Sequence, residues 1–228
     1  MTVFERRSTL SRGTTAEELA AVLREMIMRG EIKPGTLLRE ETLSTQFEVS
    51  RRTVKEALSK LAHERIVRHY RHKGTQVTKF TTADIRDLYR ARKTLEGAAA
   101  QAADHISAIQ LQRLEHAFEN LKSAIAGRDP VDVVARDLEF HQAIIGSIES
   151  ERIDDFFADI AVEMRFALSV LESAYNESTD RPDETLAEHE AILDAFRRGD
   201  AESAANLVYA HAHTYELLLV EAVVTAES

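Results

Sequence analysis

The sequence contains no cysteine and no tryptophan, and its 228 residues include only 3 prolines and 8 glycines. Without cysteine the chain cannot form a disulfide, a thiolate zinc site, an iron–sulfur cluster or a cysteine nucleophile, so we expect a reducing compartment. Few helix breakers, together with frequent Ala, Leu, Glu and Arg, predict a mainly α protein.

Long hydrophobic runs are absent as well. No apolar segment approaches the roughly 18 residues needed to cross a bilayer, and the N-terminus is polar and charged. The sequence therefore predicts a cytoplasmic protein with no membrane partner. Its length predicts one or two compact domains.

The charge is unevenly distributed along the chain, which has a net charge of −10. Residues 1–79 contain 16 Lys and Arg against 10 Asp and Glu, a balance of +6, whereas the remainder carries −16. The bias is strongest in residues 50–80, with nine basic and two acidic side chains. This segment predicts a nucleic-acid partner, and the alternative is a solvated basic face.

The first third of the chain predicts three helices followed by a two-stranded hairpin. A capping box at Thr14 and Glu17 opens the first helix, and Ser50 caps the third. Residues 66–70 and 76–80 predict the two strands. This order is that of a winged helix-turn-helix.

The candidate DNA contacts lie in the first turns of the third helix and in the hairpin. A helix N-terminus attracts phosphate, and basic side chains there reach the same groups. The candidates are Ser50, Arg51, Arg52, Thr53, Lys55, Lys73 and Gly74. Because a helix-turn-helix monomer reads only a few base pairs, we expect a homodimer on double-stranded operator DNA.

Several short motifs mark this segment: Pro34-Gly35-Thr36, Val49-Ser50-Arg51, Val54-Lys55-Glu56-Ala57-Leu58 and Gly74-Thr75-Gln76-Val77. In combination they resemble the DNA-binding domain of GntR-family transcription regulators. The resemblance implies a winged helix-turn-helix domain over residues 10–80. Two positions depart from the family's pattern: Thr53 stands where many relatives have proline, and Arg65 where a glycine commonly ends the recognition-helix segment.

The rest of the chain predicts a C-terminal all-α bundle of about six helices. Their predicted ranges are 82–104, 107–127, 130–147, 150–175, 183–198 and 200–225. Helices of this length build a bundle large enough for an internal cavity.

One carboxylate and three histidines in this region form a candidate metal site. Asp137 and His141 are four residues apart and share one helix face, while His189 and His211 lie on two further helices. This ligand set suits a borderline divalent ion with positions left for water or a ligand. A lone histidine is more often a core or surface residue, and His213 is a rival of His211 on another side of the same helix.

Longer motifs surround these residues: Asp137-Leu-Glu-Phe-His141, Glu188-His189-Glu-Ala-Ile192, Gly199-Asp200-Ala and Ala210-His211, with Arg92, Leu95 and Glu96 upstream. They resemble the FCD effector-binding domain of the FadR subfamily of GntR regulators, and six helices place the chain nearer the VanR-like branch. The resemblance implies a metal- and effector-binding domain over residues 81–225. In it Asp137, His141, His189 and His211 hold one divalent ion per chain, with zinc expected and nickel or manganese as alternatives.

Both halves together predict a transcription regulator, a repressor whose operator affinity is controlled by a small carboxylate effector. Arg92, Tyr89 and Tyr215 are the candidate effector contacts, although Arg92 can equally pair with Glu96. The alternative function is a mononuclear metal-dependent hydrolase with an accessory nucleic-acid-binding domain. The chain has no HExxH motif and no Gly-rich phosphate loop, and a hydrolase does not need a basic winged helix. We therefore predict that it is not an enzyme.

Overall fold

The fold comes from a computed structural model, which describes residues 15–71, 74–175 and 181–227. The chain divides into two compact units, the first ending at Lys79 and the second beginning at Phe80. Helices dominate the described residues, which confirms the predicted mainly α class. Within the described ranges, no helix combines the length and the hydrophobicity that a membrane span requires.

The first unit is a winged helix-turn-helix. Its elements are α1 (Ala16–Met28), β1 (Leu37–Leu38), α2 (Glu40–Gln46), α3 (Arg51–His63), β2 (Val67–Tyr70) and β3 (Gly74–Val77). The strands form an antiparallel sheet in the order β1-β3-β2. Sequence reasoning missed β1, and the predicted start of the last strand at residue 76 was wrong, because β3 already pairs from Gly74.

The predicted capping box of α1 was wrong by one residue. Thr15 is the cap: the Glu18 N–H donates to its Oγ1 at 3.2 Å, and its own N–H donates to Glu18 Oε2 at 2.7 Å. Thr14 and Glu17 have the same spacing as Thr15 and Glu18, so the motif alone does not choose between them. Glu17 instead accepts a hydrogen bond from Lys60 Nζ at 2.5 Å.

The end of α3 explains how Arg65 occupies a position where the family commonly has glycine. Arg65 lies in the left-handed region with φ 57°. Its N–H donates to Ala62 O at 3.1 Å, and the Ile66 N–H donates to Leu61 O at 3.0 Å. These two bonds form a Schellman motif, in which glycine is the preferred left-handed residue.

We expect Arg65→Gly to raise the free energy of unfolding by about 0.5–1 kcal/mol. The left-handed conformation costs a non-glycine residue about 1–2 kcal/mol, and the added entropy of glycine in the unfolded chain offsets part of the gain. Chemical denaturation measures the change. A decrease in stability would show that contacts of the Arg65 side chain outweigh its backbone conformation.

The second unit contains the predicted helical bundle. Its helices in the described residues are α4 (Thr82–Ala100), α5 (Ala108–Gly127), α6 (Pro130–Ile145), α7 (Glu151–Tyr175), α8 (Pro182–Arg197) and α9 (Ala201–Glu227). The predicted extensions of α4 and α6 were wrong in type, because residues Gln101–His105 and Gly146–Ile148 form 3₁₀ turns. Assignment to the VanR-like branch stays a prediction, since residues 176–180 lie outside the described residues.

The core of this unit is formed by apolar side chains from several helices. Fully buried members include Phe140, Ile144, Phe157, Ile192, Leu193 and Val208. Phe140 packs edge-on against the ring of the next residue, His141, at 5.6 Å and against His189 at 5.0 Å. The apolar core therefore borders directly on the candidate metal ligands.

Candidate functional site

The four predicted ligands converge from three helices of the second unit. Asp137 and His141 come from α6, His189 from α8 and His211 from α9, and one ligand atom of each lies within 4.8 Å of all the others. The three imidazole centroids are 4.6 to 5.5 Å apart. The histidine rings are buried, and the Asp137 side chain is 15% exposed.

Each histidine uses Nδ1 for a contact outside the cluster. His189 Nδ1 donates to a backbone carbonyl oxygen, Thr185 O, at 2.7 Å, which makes Nδ1 the protonated nitrogen. His211 Nδ1 lies 2.8 Å from Glu188 Oε2 and forms a hydrogen bond with it. Such contacts fix the ring orientation and leave Nε2 as the nitrogen available to a metal.

His141 follows the same pattern, although its Nδ1 contact is not in hydrogen-bonding geometry. This atom lies 2.8 Å from Glu96 Oε2 on α4. The other ring nitrogens, the Nε2 atoms of His141, His189 and His211, are all buried without a hydrogen-bond partner. Three buried, unpartnered imidazole nitrogens in one cluster need a common partner.

The contact between His189 and Asp137 identifies the kind of partner. His189 Nε2 lies 2.9 Å from Asp137 Oδ1. In the neutral ring, whose proton is on Nδ1, Nε2 presents a lone pair to the carboxylate; a protonated ring would donate to it, but the contact is not in hydrogen-bonding geometry. Two acceptors at this distance repel each other unless a cation binds both. The geometry therefore fits a metal ion better than a hydrogen bond.

The electrostatics of the cluster favour the protonation states that a metal requires at His141, His211 and Asp137. Burial lowers the pKa of His211 to about 3, against the opposing effect of its bond to Glu188, and burial also lowers the pKa of His141. Burial would raise the pKa of Asp137, but the neighbouring histidines, when protonated, and Arg92 lower it by more. Neutral imidazoles and an ionised carboxylate are the metal-binding forms of these groups.

Arg92 and Glu96 form a buried ion pair beside the cluster. Arg92 Nε donates to Glu96 Oε1 at 2.7 Å, and the two side chains are 1% and 0% exposed. Burial would raise the pKa of Glu96, but the charge of Arg92 lowers it, and the value is about 2. The pairing that sequence reasoning left open is thus present, and it leaves Arg92 Nη2 buried without a partner.

Both candidate effector tyrosines lie close to this arrangement. The Tyr89 ring is 5.6 Å from the Arg92 guanidinium, and its buried hydroxyl has no partner. The Tyr215 ring is 4.8 Å from that of His211, and its hydroxyl lies 3.3 Å from Thr185 Oγ1. Arg92, Tyr89 and Tyr215 are therefore close to the candidate metal ligands.

His213, the rival of His211, lies outside the cluster. It is half-exposed, stacks on Tyr209 at 6.2 Å and approaches Glu216 Oε2 at 3.5 Å. Thr185 and Glu188, which orient the ligand rings, were missed by sequence reasoning. Their signal is their position on the helix of His189, four residues and one residue before it.

The candidate DNA contacts at the start of α3 are exposed, apart from the half-buried Thr53. Ser50 caps α3 by accepting a hydrogen bond from the Thr53 N–H at 3.0 Å. The exposed Arg51, Arg52 and Lys55 follow in the first two turns. Thr53 suits the first turn of α3, because its N–H and its hydroxyl both contact the Ser50 hydroxyl.

Two of these cations form exposed ion pairs within the chain. Arg51 Nη2 lies 2.7 Å from Glu41 Oε1, and Arg52 Nε lies 2.8 Å from Glu56 Oε1. Such exposed pairs are weak, so they exchange readily for contacts with phosphate.

In the hairpin, Gly74 opens β3 with φ 84°, a conformation that favours glycine. A Cβ added there would lie 3.6 Å from Leu37 Cδ1, so the backbone angle is the main constraint. Lys73 lies outside the described residues.

Comparison with known proteins agrees with both units. The family described as "Bacterial regulatory proteins, gntR family" matches residues 15–77, and the FCD domain matches residues 87–214. The gluconate operon transcriptional repressor of Bacillus subtilis (strain 168) is 31% identical over 193 residues, 84% of this chain and 79% of that protein. A probable D-xylose utilization operon transcriptional repressor of Paenarthrobacter nicotinovorans is 26% identical, over 90% of this chain and 89% of that protein.

Solved structures give the same result. A putative transcriptional regulator GntR from Rhodococcus sp. RHA1 superposes with a TM-score of 0.76 at 27% identity, covering 90% of this chain and 97% of that one. Escherichia coli McbR/YncC shares the fold, with a TM-score of 0.71 at 20% identity.

A winged helix-turn-helix followed by a helical bundle with a polar, buried centre defines a DNA-binding transcription regulator. The chain belongs to the GntR family of bacterial regulatory proteins and carries an FCD domain. Family and relatives confirm the prediction that it is not an enzyme, and the hydrolase alternative is therefore discarded.

Proposed function

We propose that this regulator is a repressor whose affinity for operator DNA is controlled by a small carboxylate effector bound at a metal site. Asp137, His141, His189 and His211 hold one divalent ion per chain. Three nitrogen donors and one carboxylate oxygen suit zinc, with nickel and manganese as alternatives. The relatives named as repressors of gluconate and D-xylose operons support a role in controlling an operon of small-molecule metabolism.

The observation that carries this proposal is the set of three unpartnered Nε2 atoms, on rings whose Nδ1 atoms lie 2.7 or 2.8 Å from a carbonyl or carboxylate oxygen. Buried polar atoms without partners are rare in proteins, and three that face one carboxylate have a single common explanation. A bound cation satisfies all of them at once.

The effector is a carboxylate because the groups beside the metal site are donors. The metal supplies a Lewis acid that binds a carboxylate oxygen. Arg92 Nη2 and the Tyr89 hydroxyl, both buried and unpartnered, are free to donate to the same carboxylate. Glu96 holds Arg92 through Nε, so the guanidinium is oriented before the effector arrives.

Operator binding is assigned to a homodimer, because two recognition helices are needed to read two half-sites. Effector binding changes operator affinity only as far as the effector prefers one arrangement of the dimer over another.

We test this by titrating metal-loaded protein into labelled duplex from the DNA flanking its own gene, with and without a panel of small carboxylates. A carboxylate that changes the affinity of the parent, but not that of His189→Ala, supports the proposal. Equal changes in both proteins contradict it.

We expect Arg51→Ala to weaken operator binding by about 1–3 kcal/mol and to relax specificity, because an arginine at the start of the recognition helix reaches base edges. Lys73→Ala should weaken binding to all duplexes alike and flatten the salt dependence, since it removes only a phosphate contact. Fluorescence anisotropy at several salt concentrations measures both changes.

The matched control is Arg90→Ala, which removes an exposed, ion-paired arginine from the second unit. It should leave operator affinity unchanged. If the parent protein showed no salt-dependent duplex binding, the assignment of residues 10–80 to DNA recognition would be wrong.

A further inference from the structure

A small cleft between α8 and α9 lies against the candidate metal ligands. Thr185 and Glu188 of α8 and Tyr215 of α9 line it, and its volume of about 20 Å³ has room for about one water molecule. The Tyr215 ring lies 4.8 Å from the ring of His211, and Glu188 Oε2 lies 2.8 Å from His211 Nδ1. The cleft is therefore lined by residues that contact a ligand ring directly.

His211 is the histidine ligand that faces this cleft. The rings of His141 and His189 both pack edge-on against Phe140 of the apolar core. The ring of His211 packs instead against Tyr215, a residue of the cleft wall. Movement of the His211 ring would therefore disturb the apolar core less than movement of the other two rings.

The groups that contact the Nδ1 atoms differ in exposure in the same way. Glu96, beside His141, is 0% exposed, and Thr185, whose carbonyl oxygen accepts from His189, is buried. The Glu188 side chain, bonded to His211, is 42% exposed. A cation that reaches the Glu188 carboxylate is thus separated from the cluster by one imidazole ring.

The charges at the cleft favour the approach of a cation. Arg181 and Glu184 form an ion pair there, so the carboxylate of Glu188 adds a net negative charge. A carboxylate that is partly in water attracts cations and raises their local concentration. Asp137 is the other acidic group with access to a surface, but its side chain is 15% exposed against 42% for Glu188.

One polar contact joins the two walls of the cleft. The Tyr215 hydroxyl lies 3.3 Å from Thr185 Oγ1. A single hydroxyl–hydroxyl bond of this length contributes little net free energy, because water replaces either partner. The contact can therefore open and close without unfolding either helix.

We infer that the metal ion enters and leaves its site through the cleft between α8 and α9, past His211; this rests on the metal site of the proposed function. The Glu188 carboxylate is the first group to bind the incoming ion. The contact between Tyr215 and Thr185 closes the cleft, and the ion reaches the remaining ligands when this contact opens and the His211 ring turns aside. A residue that only closes a route changes the rates of entry and exit by the same factor, so it leaves the Kd unchanged.

The test measures Zn²⁺ exchange in the full-length protein without effector. Stopped-flow transfer of Zn²⁺ to and from a chromophoric chelator gives both rates, and equilibrium competition gives the Kd. We expect Tyr215→Phe to raise both rates by about twofold to tenfold, because it removes the closing bond, and to keep the Kd within about twofold. Thr214→Trp places a large side chain on an exposed position of the cleft and should slow both rates.

Glu188→Gln tests the first binding step. Glutamine keeps an acceptor for His211 Nδ1 but removes the charge, so loading should slow by about threefold to tenfold, and by less at high salt. The matched control is Glu190→Gln, which removes the same charge from an exposed position on the same helix. It should load Zn²⁺ at the rate of the parent.

Three results would overturn the inference. Both rates could be unchanged in Tyr215→Phe and in Thr214→Trp, which would place the route elsewhere, at the side of Asp137. Tyr215→Phe could instead speed release alone and weaken the Kd, as a residue that stabilises the bound state would. Equal slowing of loading in Glu188→Gln and Glu190→Gln would show an effect of net charge alone. A parent protein that binds no Zn²⁺ at equilibrium would contradict the proposed metal site itself.

Discussion

Protein purified from metal-replete medium should contain about one divalent ion per chain, and His189→Ala or His211→Ala should each lose most of it. Either substitution leaves three of the four protein ligands, which weakens binding of the ion at a site whose remaining positions belong to water and the effector. It also leaves the partner of the lost ring without its contact, which is the buried Thr185 O for His189 and the half-exposed Glu188 for His211. Elemental analysis measures the metal content directly.

His213→Ala is the matched control, because it removes a histidine from the same helix that is half-exposed and outside the cluster. It should leave the metal content unchanged. Metal-free parent protein, or a His211→Ala variant with full occupancy, would show that these histidines are ordinary bundle residues.

Chelation should destabilise the parent for the same reason. An ion that binds only the folded state stabilises it by about 2.7 kcal/mol at 100 times its Kd. For a chain of this size, that corresponds to a fall in Tm on the order of 5–10 °C when the ion is removed. Differential scanning fluorimetry should show this shift in the parent and little change in His189→Ala.

Local spacing was sufficient to predict most of the helices, whereas the resemblance to FCD domains implied that Asp137, His141, His189 and His211 share one site. Asp137 and His141 share a face because four residues make about one helical turn, and this holds wherever the helix packs. His211 and His213 point in different directions for the same reason, and the structure places only the first in the cluster. Such features depend on helix geometry alone, which the sequence pattern determines.

Features that depend on contacts between distant segments were not predictable in the same way. The 2.8 Å approach of Glu96 to His141 joins α4 to α6, and no spacing rule relates residues 45 positions apart. The two-residue strand β1 forms only because β3 is beside it. The contact between Thr185 O and His189 is local, within one helix, but it uses a backbone carbonyl, so side-chain identity carries no signal for it.

The buried pair of Arg92 and Glu96 should be critical for stability, although neither residue is a predicted metal ligand. We expect Glu96→Leu to lower the free energy of unfolding by about 3–5 kcal/mol, because it leaves the Arg92 charge buried without a counter-charge. Chemical denaturation of the metal-free protein measures this, so that a loss of metal does not contribute.

The double variant Arg92→Met/Glu96→Leu separates an uncompensated charge from the loss of packing. Removing both charges leaves no buried ion, so the double variant should be more stable than Glu96→Leu alone. Glu56→Leu is the control, since its partner Arg52 is exposed and solvated, and it should change stability very little. If Glu96→Leu is as stable as Glu56→Leu, the pair does not stabilise the bundle through charge compensation. The same conclusion follows if the double variant loses as much stability as Arg92→Met and Glu96→Leu lose together.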